Sequence, residues 1–237
     1  MPLLRTFFKL CFAALFGTHA LAATVTGTLD IQRDASEKRN ARSADDIIVW
    51  LEPAGGVPLT RVQAAHAQML QKNKMFRPHI LPIEIGTIVD FPNADPIFHN
   101  AFSSYDGQLF DIGLYPPGSS RSVHFRRPGV VRVFCNIHPS MSAVILVLNT
   151  PYFTQAQHGK YRLTGVPRGA YELHFFDERA TGAAADSVTV NIGEEPAIVA
   201  PVLHISEAGY VQLPHKNKYG QDYPPNADSY GSGGPPK

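Results

Sequence analysis

The stretch FCNIHPSM, residues 134–141, places a cysteine, a histidine three positions on and a methionine three positions further. The whole chain has only two cysteines and four methionines, so this crowding of donors asks for a chemical reason. Cys135, His138 and Met141 follow the apolar strand pattern VVRVFCNI. A sharp turn after that strand lets all three donors converge on one point. A soft thiolate favours Cu(I), imidazole suits both copper oxidation states, and a weak thioether tunes the potential. A trigonal set of this kind needs a second imidazole. His99, in DPIFHN, comes directly after the strand pattern TIVDFPN and is flanked by Pro92 and Pro96. A β-sandwich brings such a loop beside the end of a later strand. One cysteine and two histidines also suit zinc, although a thioether as fourth donor argues against a structural zinc site. Each residue has a plainer reading: a buried cysteine as a small hydrophobe, a loop histidine, a core methionine. Their joint order and strand context favour one metal ion. Asp90 and Asp95, near His99, read as turn residues rather than as support for it.

The N-terminus resembles an export signal. Arg5 and Lys9 are followed by the short apolar run LCFAALFG and by Ala20-Leu21-Ala22, a small-x-small cleavage site. Residues 1–22 are therefore expected to be removed, with no membrane insertion afterwards, because the apolar run is too short to span a bilayer; a retained anchor is the alternative. Cys11 leaves with the signal. Removing Arg5 and Lys9 from the 21 basic residues leaves 19 against 20 acidic ones, a net charge of about −1. That balance gives nucleic acid and anionic membrane no electrostatic hold. Cys135 is then the sole thiol of a chain in an oxidising compartment and has no partner for an internal disulfide. Metal ligation both protects and uses it.

The elements that must position these donors are almost all strands. ATVTGTLDIQ alternates apolar and polar residues, with Gly27 a candidate bulge. DIIVWLEP is a buried-strand pattern stopped by Pro53, and VPLT follows a Gly55-Gly56 turn. HILPIEIGTIVDFPN gives two strands around Gly86. SRSVHF and VVRVFCNI bracket Pro128-Gly129 as a hairpin, and GKYRLTGVPRGAYELHFFDE reads as a second hairpin around Pro167-Arg168-Gly169. SAVILVLN is a continuous apolar run, too short and too β-branched for a helix. DSVTVNIG and AIVAPVLHIS add further strands. One helix is expected, in TRVQAAHAQMLQKN, on propensity, with a strand over QMLQKNKMFRP as the alternative for its second half. Residues 208–237, rich in Pro, Gly, Tyr and Asn, are expected to be disordered.

With these residues in view, the segment MFRPHILPIEIGTIVDFPNADPIFHNAFS, together with FDIGLYPPGSSRSVHFRRPGVVRVFCNIHPSMSAVILV, resembles a cupredoxin, the blue copper fold of plastocyanin and amicyanin. The His-Asn pair, the Pro-Gly turn before the cysteine strand and the Cys-x-x-His turn carry the likeness. The short spacing before Met141 is similar to that of amicyanin. The resemblance implies an all-β fold, a Greek-key β-sandwich holding one copper ion on His99, Cys135, His138 and Met141. It implies that Asn100 bonds across to the cysteine loop, and that the edge of His138 reaches the surface through an apolar patch, here Pro139, Ser140, Pro116, Pro117 and Phe98. The whole chain is similar to plastocyanin-like periplasmic proteins labelled "methylamine utilization". The flanking strands look like a transthyretin-like, carboxypeptidase-regulatory-type sandwich. The domain reading is residues 23–60 and 151–207 for that accessory sandwich, with residues 62–150 as a cupredoxin domain inserted in it. Two consecutive domains are the alternative.

The expected function is periplasmic one-electron transfer by a type 1 copper protein, with a cytochrome or a periplasmic dehydrogenase as redox partner. A copper-handling carrier or sensor, and a non-enzymatic cell-envelope binding module, are the competing readings. No phosphate-cradling glycine loop, Gly-x-Ser-x-Gly or His-Glu-x-x-His motif points to an enzyme.

Overall fold

The structure is a computed structural model and describes residues 22–34, 46–55, 65–104, 107–181 and 187–229. The signal segment and the VPLT strand lie outside the described residues. Two strands come first, β1 (Ala23–Gln32) and β2 (Ile48–Pro53). Ten follow: β3 (His66–Gln68), β4 (Leu70–Gln71), β5 (Phe76–Arg77), β6 (Ile80–Glu84), β7 (Ile88–Pro92), β8 (Phe102–Ser103), β9 (Phe110–Asp111), β10 (Ser120–His124), β11 (Gly129–Phe134) and β12 (Ser142–Leu148). The last six are β13 (Phe153–Gln155), β14 (Lys160–Val166), β15 (Gly169–Phe176), β16 (Val188–Ile192), β17 (Ala197–Val199) and β18 (Leu203–Ser206).

Among the described residues, strands β1 and β2 pair with strands from β13 onward. One sheet runs β14-β1-β17, with β18 also on β1, and the other runs β13-β2-β15-β16. Between them lies a core that includes Val25, Leu51, Tyr161, Leu163, Leu173 and Val190. Strands β3 to β12 pair among themselves, as β10-β7-β3, β6-β12-β11-β8-β9 and the small ribbon β4-β5. Their core includes Met69, Phe91, Phe125, Val133, Cys135, Met141 and Ile145. A third cluster joins the two units, with Ile48, Ile80, Val144, Leu146 and Leu148 packed beside Trp50, Phe153 and Phe176. The all-β fold is thus a stack of sheets. It also explains the unbroken apolar run of β12. Ala143, Ile145 and Val147 face one core while Val144, Leu146 and Leu148 face the joint, so both faces of the strand are buried.

Both expected hairpins are corrected. Strand β10 pairs with β7, whereas β11 pairs with β12 and β8, so Pro128-Gly129 carries the chain from one sheet to the facing one. Likewise β14 pairs with β1, and β15 with β2 and β16. Alternation fixes that a strand exists but not which neighbour its backbone finds. The expected helix is also corrected. Its described part forms β3 and β4, with His66 and Gln68 exposed, Ala67 half-buried, and Met69 and Gln71 buried. Parallel pairing of β3 with β7, and burial of Met69 in the core, override local helix propensity. The irregularity of β1 falls between Ala23 and Val25 rather than at Gly27. Gly27 instead makes room for a ring, since a Cβ there would stand 2.1 Å from the Tyr161 hydroxyl.

The expectation of a disordered tail fails over its described part. Residues 208–229 run back over the end of the unit that carries Cys135. They lack an apolar core of their own but are held by polar and aromatic contacts, among them Tyr223 on the Cys135 carbonyl and His215 stacked on Phe134.

Candidate metal centre

Strand β11 ends at Phe134, and the chain then turns through residues 135–141 before β12 begins. The turn is closed by its own backbone. The Met141 N–H donates to the His138 carbonyl at 3.1 Å, and the Cys135 N–H donates to the Met141 carbonyl at 3.2 Å. His99 arrives from the loop after β7, fixed by reciprocal backbone bonds with Tyr115 of 3.2 and 2.9 Å. Tyr115 is itself anchored beneath, its hydroxyl donating to the Phe91 carbonyl at 2.9 Å and accepting from the Gln71 amide.

These elements bring three of the four sequence candidates together. The Cys135 Sγ lies 3.9 Å from His99 Nδ1 and 3.6 Å from His138 Nδ1. One ligand atom from each residue falls within 4.8 Å of the others, and all three residues are buried. Metal–thiolate and metal–imidazole bonds of about 2.3 and 2.0 Å, opened to about 120°, would separate S from N by about 3.7 Å. The observed spacings match that requirement, so the residues fit a single ion. Met141 is fully buried in the same core cluster, at the far end of the closed turn.

The orientation of His99 fits as well. Its Nε2 faces an oxygen of Asp95 at 2.8 Å. A proton on Nε2, donated to the carboxylate, leaves the Nδ1 lone pair facing the sulfur, as a ligating imidazole requires. Burial holds the His99 pKa below its ordinary value, outweighing the opposite pull of Asp95, so the ring is neutral at neutral pH. Burial alone would raise the Asp95 carboxyl, but bonds from the Lys74 N–H, His99 and the Asn73 N–H outweigh it and hold the group below the usual carboxylate range. Those two amides, at 2.8 and 2.6 Å, come from the turn between β4 and β5, where Asn73 and Lys74 both have positive φ, 57° and 54°. The left-handed pair is the conformation of a tight two-residue hairpin, and it points successive N–H groups at one anion. Asp95 therefore supports His99 rather than merely shaping a turn, which corrects the sequence reading; its place four residues before His99 was the available signal. Asp90 bonds to Ser122 and His66 at the surface instead.

Burial pushes the Cys135 thiol up, while the backbone N–H groups of Ile137, Asn100 and His138 oppose that by favouring the thiolate. Asn100 does reach across to the cysteine loop. Its oxygen accepts from the Asn136 N–H at 3.3 Å, and its amide donates to Asp111 at 2.8 Å.

One expectation is overturned. His138 is fully buried, with 0% exposure, and does not present an edge to solvent. Phe98 at 47% exposure, together with Pro116 and Pro117, forms an exposed apolar surface beside the His99–Tyr115 bridge instead. The C-terminal residues that run across the ligand loop, among them His215, Tyr223 and Asp228, were missed by sequence reasoning. Nothing in their local pattern marks them.

No known family model and no curated protein matches this chain. Among solved structures, it is similar to the copper-containing nitrite reductase of Thermus scotoductus, at 24% identity over 41% of this chain, with a TM-score of 0.34. That match spans 25% of the reductase. It is similar to a purple cupredoxin from Nitrosopumilus maritimus at 26% identity, over 35% of this chain and 99% of that one, with a TM-score of 0.32. It is also similar to a reduced mutant of amicyanin at 16% identity, over 41% of this chain and 98% of that one, with a TM-score of 0.34. The functional reading rests on the converging donors themselves rather than on these likenesses.

Proposed function

We propose that this chain is an exported, cupredoxin-type copper protein that takes up and releases one electron. The observation that carries the reading is the buried convergence of His99, Cys135 and His138, with both imidazole Nδ1 atoms turned to the sulfur. Bound copper would supply the one-electron chemistry by alternating between its two oxidation states. His99, Cys135 and His138 would hold it, with Met141 as a weak fourth donor. Asp95 fixes the His99 tautomer, the backbone amides beside Cys135 share the charge of its sulfur, and burial keeps water out. Strands on both sides of the site keep the donors in place, so little rearranges when the charge changes.

The strand pairing supports reading residues 62–150 as a domain inserted into the accessory sandwich of residues 23–60 and 151–207. No helix among the described residues is long and apolar enough to cross a membrane. The redox partner we propose is a cytochrome or a periplasmic dehydrogenase, met through the small interface typical of such encounters.

The test is the visible spectrum of copper-loaded protein before and after ascorbate. An intense blue thiolate-to-copper band that bleaches on reduction and is absent from Cys135→Ala supports the reading. A protein that binds no copper, or a Cys135→Ala variant that keeps the colour, overturns it. Rapid loss of copper to a competing chelator would favour the copper-carrier reading.

A further inference from the structure

The described C-terminal segment makes bonds to most of the ligand loop. The Tyr223 hydroxyl donates to the Cys135 carbonyl at 2.7 Å. The Lys218 N–H donates to the Asn136 side chain at 3.0 Å. His215 Nε2 lies 2.8 Å from the Pro139 carbonyl, and its ring stacks on Phe134 with centroids 4.1 Å apart. Asp228 accepts from both the N–H and the hydroxyl of Ser140, at 3.2 and 2.8 Å.

The same segment also reaches the residues behind the other histidine. The Asp228 carbonyl accepts from Lys74 Nζ at 2.7 Å, and Lys74 is one of the two residues whose amides hold Asp95. Lys218 Nζ pairs with Asp111 at 2.7 Å, and Asp111 accepts from Asn100. The segment is shaped for this course. The Asn217 side chain accepts from the Tyr219 and Gln221 N–H groups and so folds the turn that carries Lys218. The start of the segment is tethered on the accessory sandwich, where buried Glu207 is gripped by Arg33 and Arg179 and Tyr210 lies under Arg179.

A tail that merely lay on the surface would not reach Cys135, Asn136, Pro139 and Ser140 in one pass. We propose that residues 210–229 form a strap that holds the ligand loop closed over the buried Cys135 and His138, and that it must lift before any reagent, chelator or partner group can touch either side chain. The closure stands on these contacts, whether or not the metal reading holds; its consequence for copper retention rests on that reading.

The test uses the full-length, metal-free protein and the thiol-reactive disulfide DTNB, so it does not depend on copper. The Cys135 thiolate attacks the reagent disulfide, forms a mixed disulfide and releases one thionitrobenzoate, which is counted by its absorbance. Wild type should react slowly, at the rate at which the strap opens. Tyr223→Phe should speed the reaction roughly fivefold, the factor expected for one net hydrogen bond, and Asp228→Ala, which removes two, at least as much. A triple variant adding His215→Ala should exceed about 100-fold by the same reckoning. Asp30→Ala, on the accessory sandwich, should leave the rate unchanged. Melting temperatures of the single variants should fall by only a few degrees, the roughly 2–4 °C per kcal/mol expected for a protein of this size, so that the protein stays folded at the assay temperature and faster reaction reports the strap and not global unfolding. Single variants that react at the wild-type rate overturn the proposal. Failure of the copper spectrum would leave this outcome untouched, so the two readings fail separately.

Discussion

Asp95→Ala is the sharpest perturbation of the site short of removing a donor. The Asp95 carboxylate, with 7% of its side chain exposed, accepts from the Asn73 and Lys74 N–H groups and from His99. Truncation strands all three donors. The turn amides lie near the surface and can be partly rehydrated, at about 1 kcal/mol each, whereas His99 has no exposure and bears the larger part of the usual ~1–3 kcal/mol penalty. The sum is about 4 kcal/mol, and the turn also loses the bonds that fix its two left-handed residues. For a protein of this size that corresponds to a fall in melting temperature of roughly 8–16 °C. Asp95→Asn keeps one acceptor oxygen and should lose about half as much. The assay is urea denaturation of the metal-free protein, with an unchanged slope against denaturant showing that only stability has moved. Nitrogen-resolved NMR of His99 adds a readout that a packing defect would not move: the Nε2–H form in wild type, and mixed tautomers in the alanine variant. Loss of the carboxylate should also weaken metal uptake by about 10- to 100-fold. A loss below about 1 kcal/mol with an unchanged tautomer would refute the reasoning.

Three further outcomes are expected from the fold. Glu207→Ala should cost about 3 kcal/mol in urea denaturation, because it leaves the guanidinium groups of Arg33 and Arg179 together without their shared, nearly buried carboxylate. Gly27→Ala should cost about 1–3 kcal/mol through overpacking. Tyr161→Phe should not rescue it, since the ring carbon beneath the hydroxyl is 2.3 Å from the added Cβ; Tyr161→Leu should, giving a strong coupling in a double-mutant cycle. Glu84 has its carboxyl raised by burial, so its ionised form is penalised in the folded state. Its stability contribution is fully present below the unfolded value and is lost as pH rises through the folded one. Glu84→Gln should therefore raise the melting temperature at neutral pH and leave it unchanged near pH ~3, below the range in which the carboxyl titrates.

What could be read in the sequence depended on how local its cause was. Cys135 and His138 share one turn, and His99 follows a strand with a clear alternating pattern, so type and spacing were enough to group them. Strand existence was legible in β1, β2, β6, β7 and β12 for the same reason. Pairing was not: β10 and β11 look like a hairpin because a Pro-Gly turn separates them, yet their hydrogen bonds go to opposite sheets. The alanines before Met69 favour a helix by propensity, but the free edge of β7 recruits that segment as a strand. The strap was least legible of all. Its composition is that of a chain unable to bury itself. It is held by single polar groups whose partners lie far away in the chain, from His215 on Pro139 at a separation of 76 to Asp228 on Lys74 at 154.

The strap also separates the two ways in which such a centre could serve a cell. An ion leaves only when its donors are exposed to a competing ligand, and here that requires breaking the contacts at Cys135, Pro139 and Ser140 on every cycle. An electron needs no such opening, because it tunnels through bonds and short contacts, and the Tyr223 hydroxyl on the Cys135 carbonyl provides one such contact to the outer face of the loop. A closed strap therefore slows ion exchange far more than electron exchange. Loosening it with Tyr223→Phe and Asp228→Ala should speed extraction of copper by a chelator by the same factor as modification of the apo thiol. In Asp228→Ala, which keeps the Tyr223 hydroxyl, the rate of oxidation by a small outer-sphere oxidant should change by less than about twofold, since that route does not pass through the opening equilibrium. Equal acceleration of both rates would mean that electrons also wait for the strap, and the centre would then be a gated carrier.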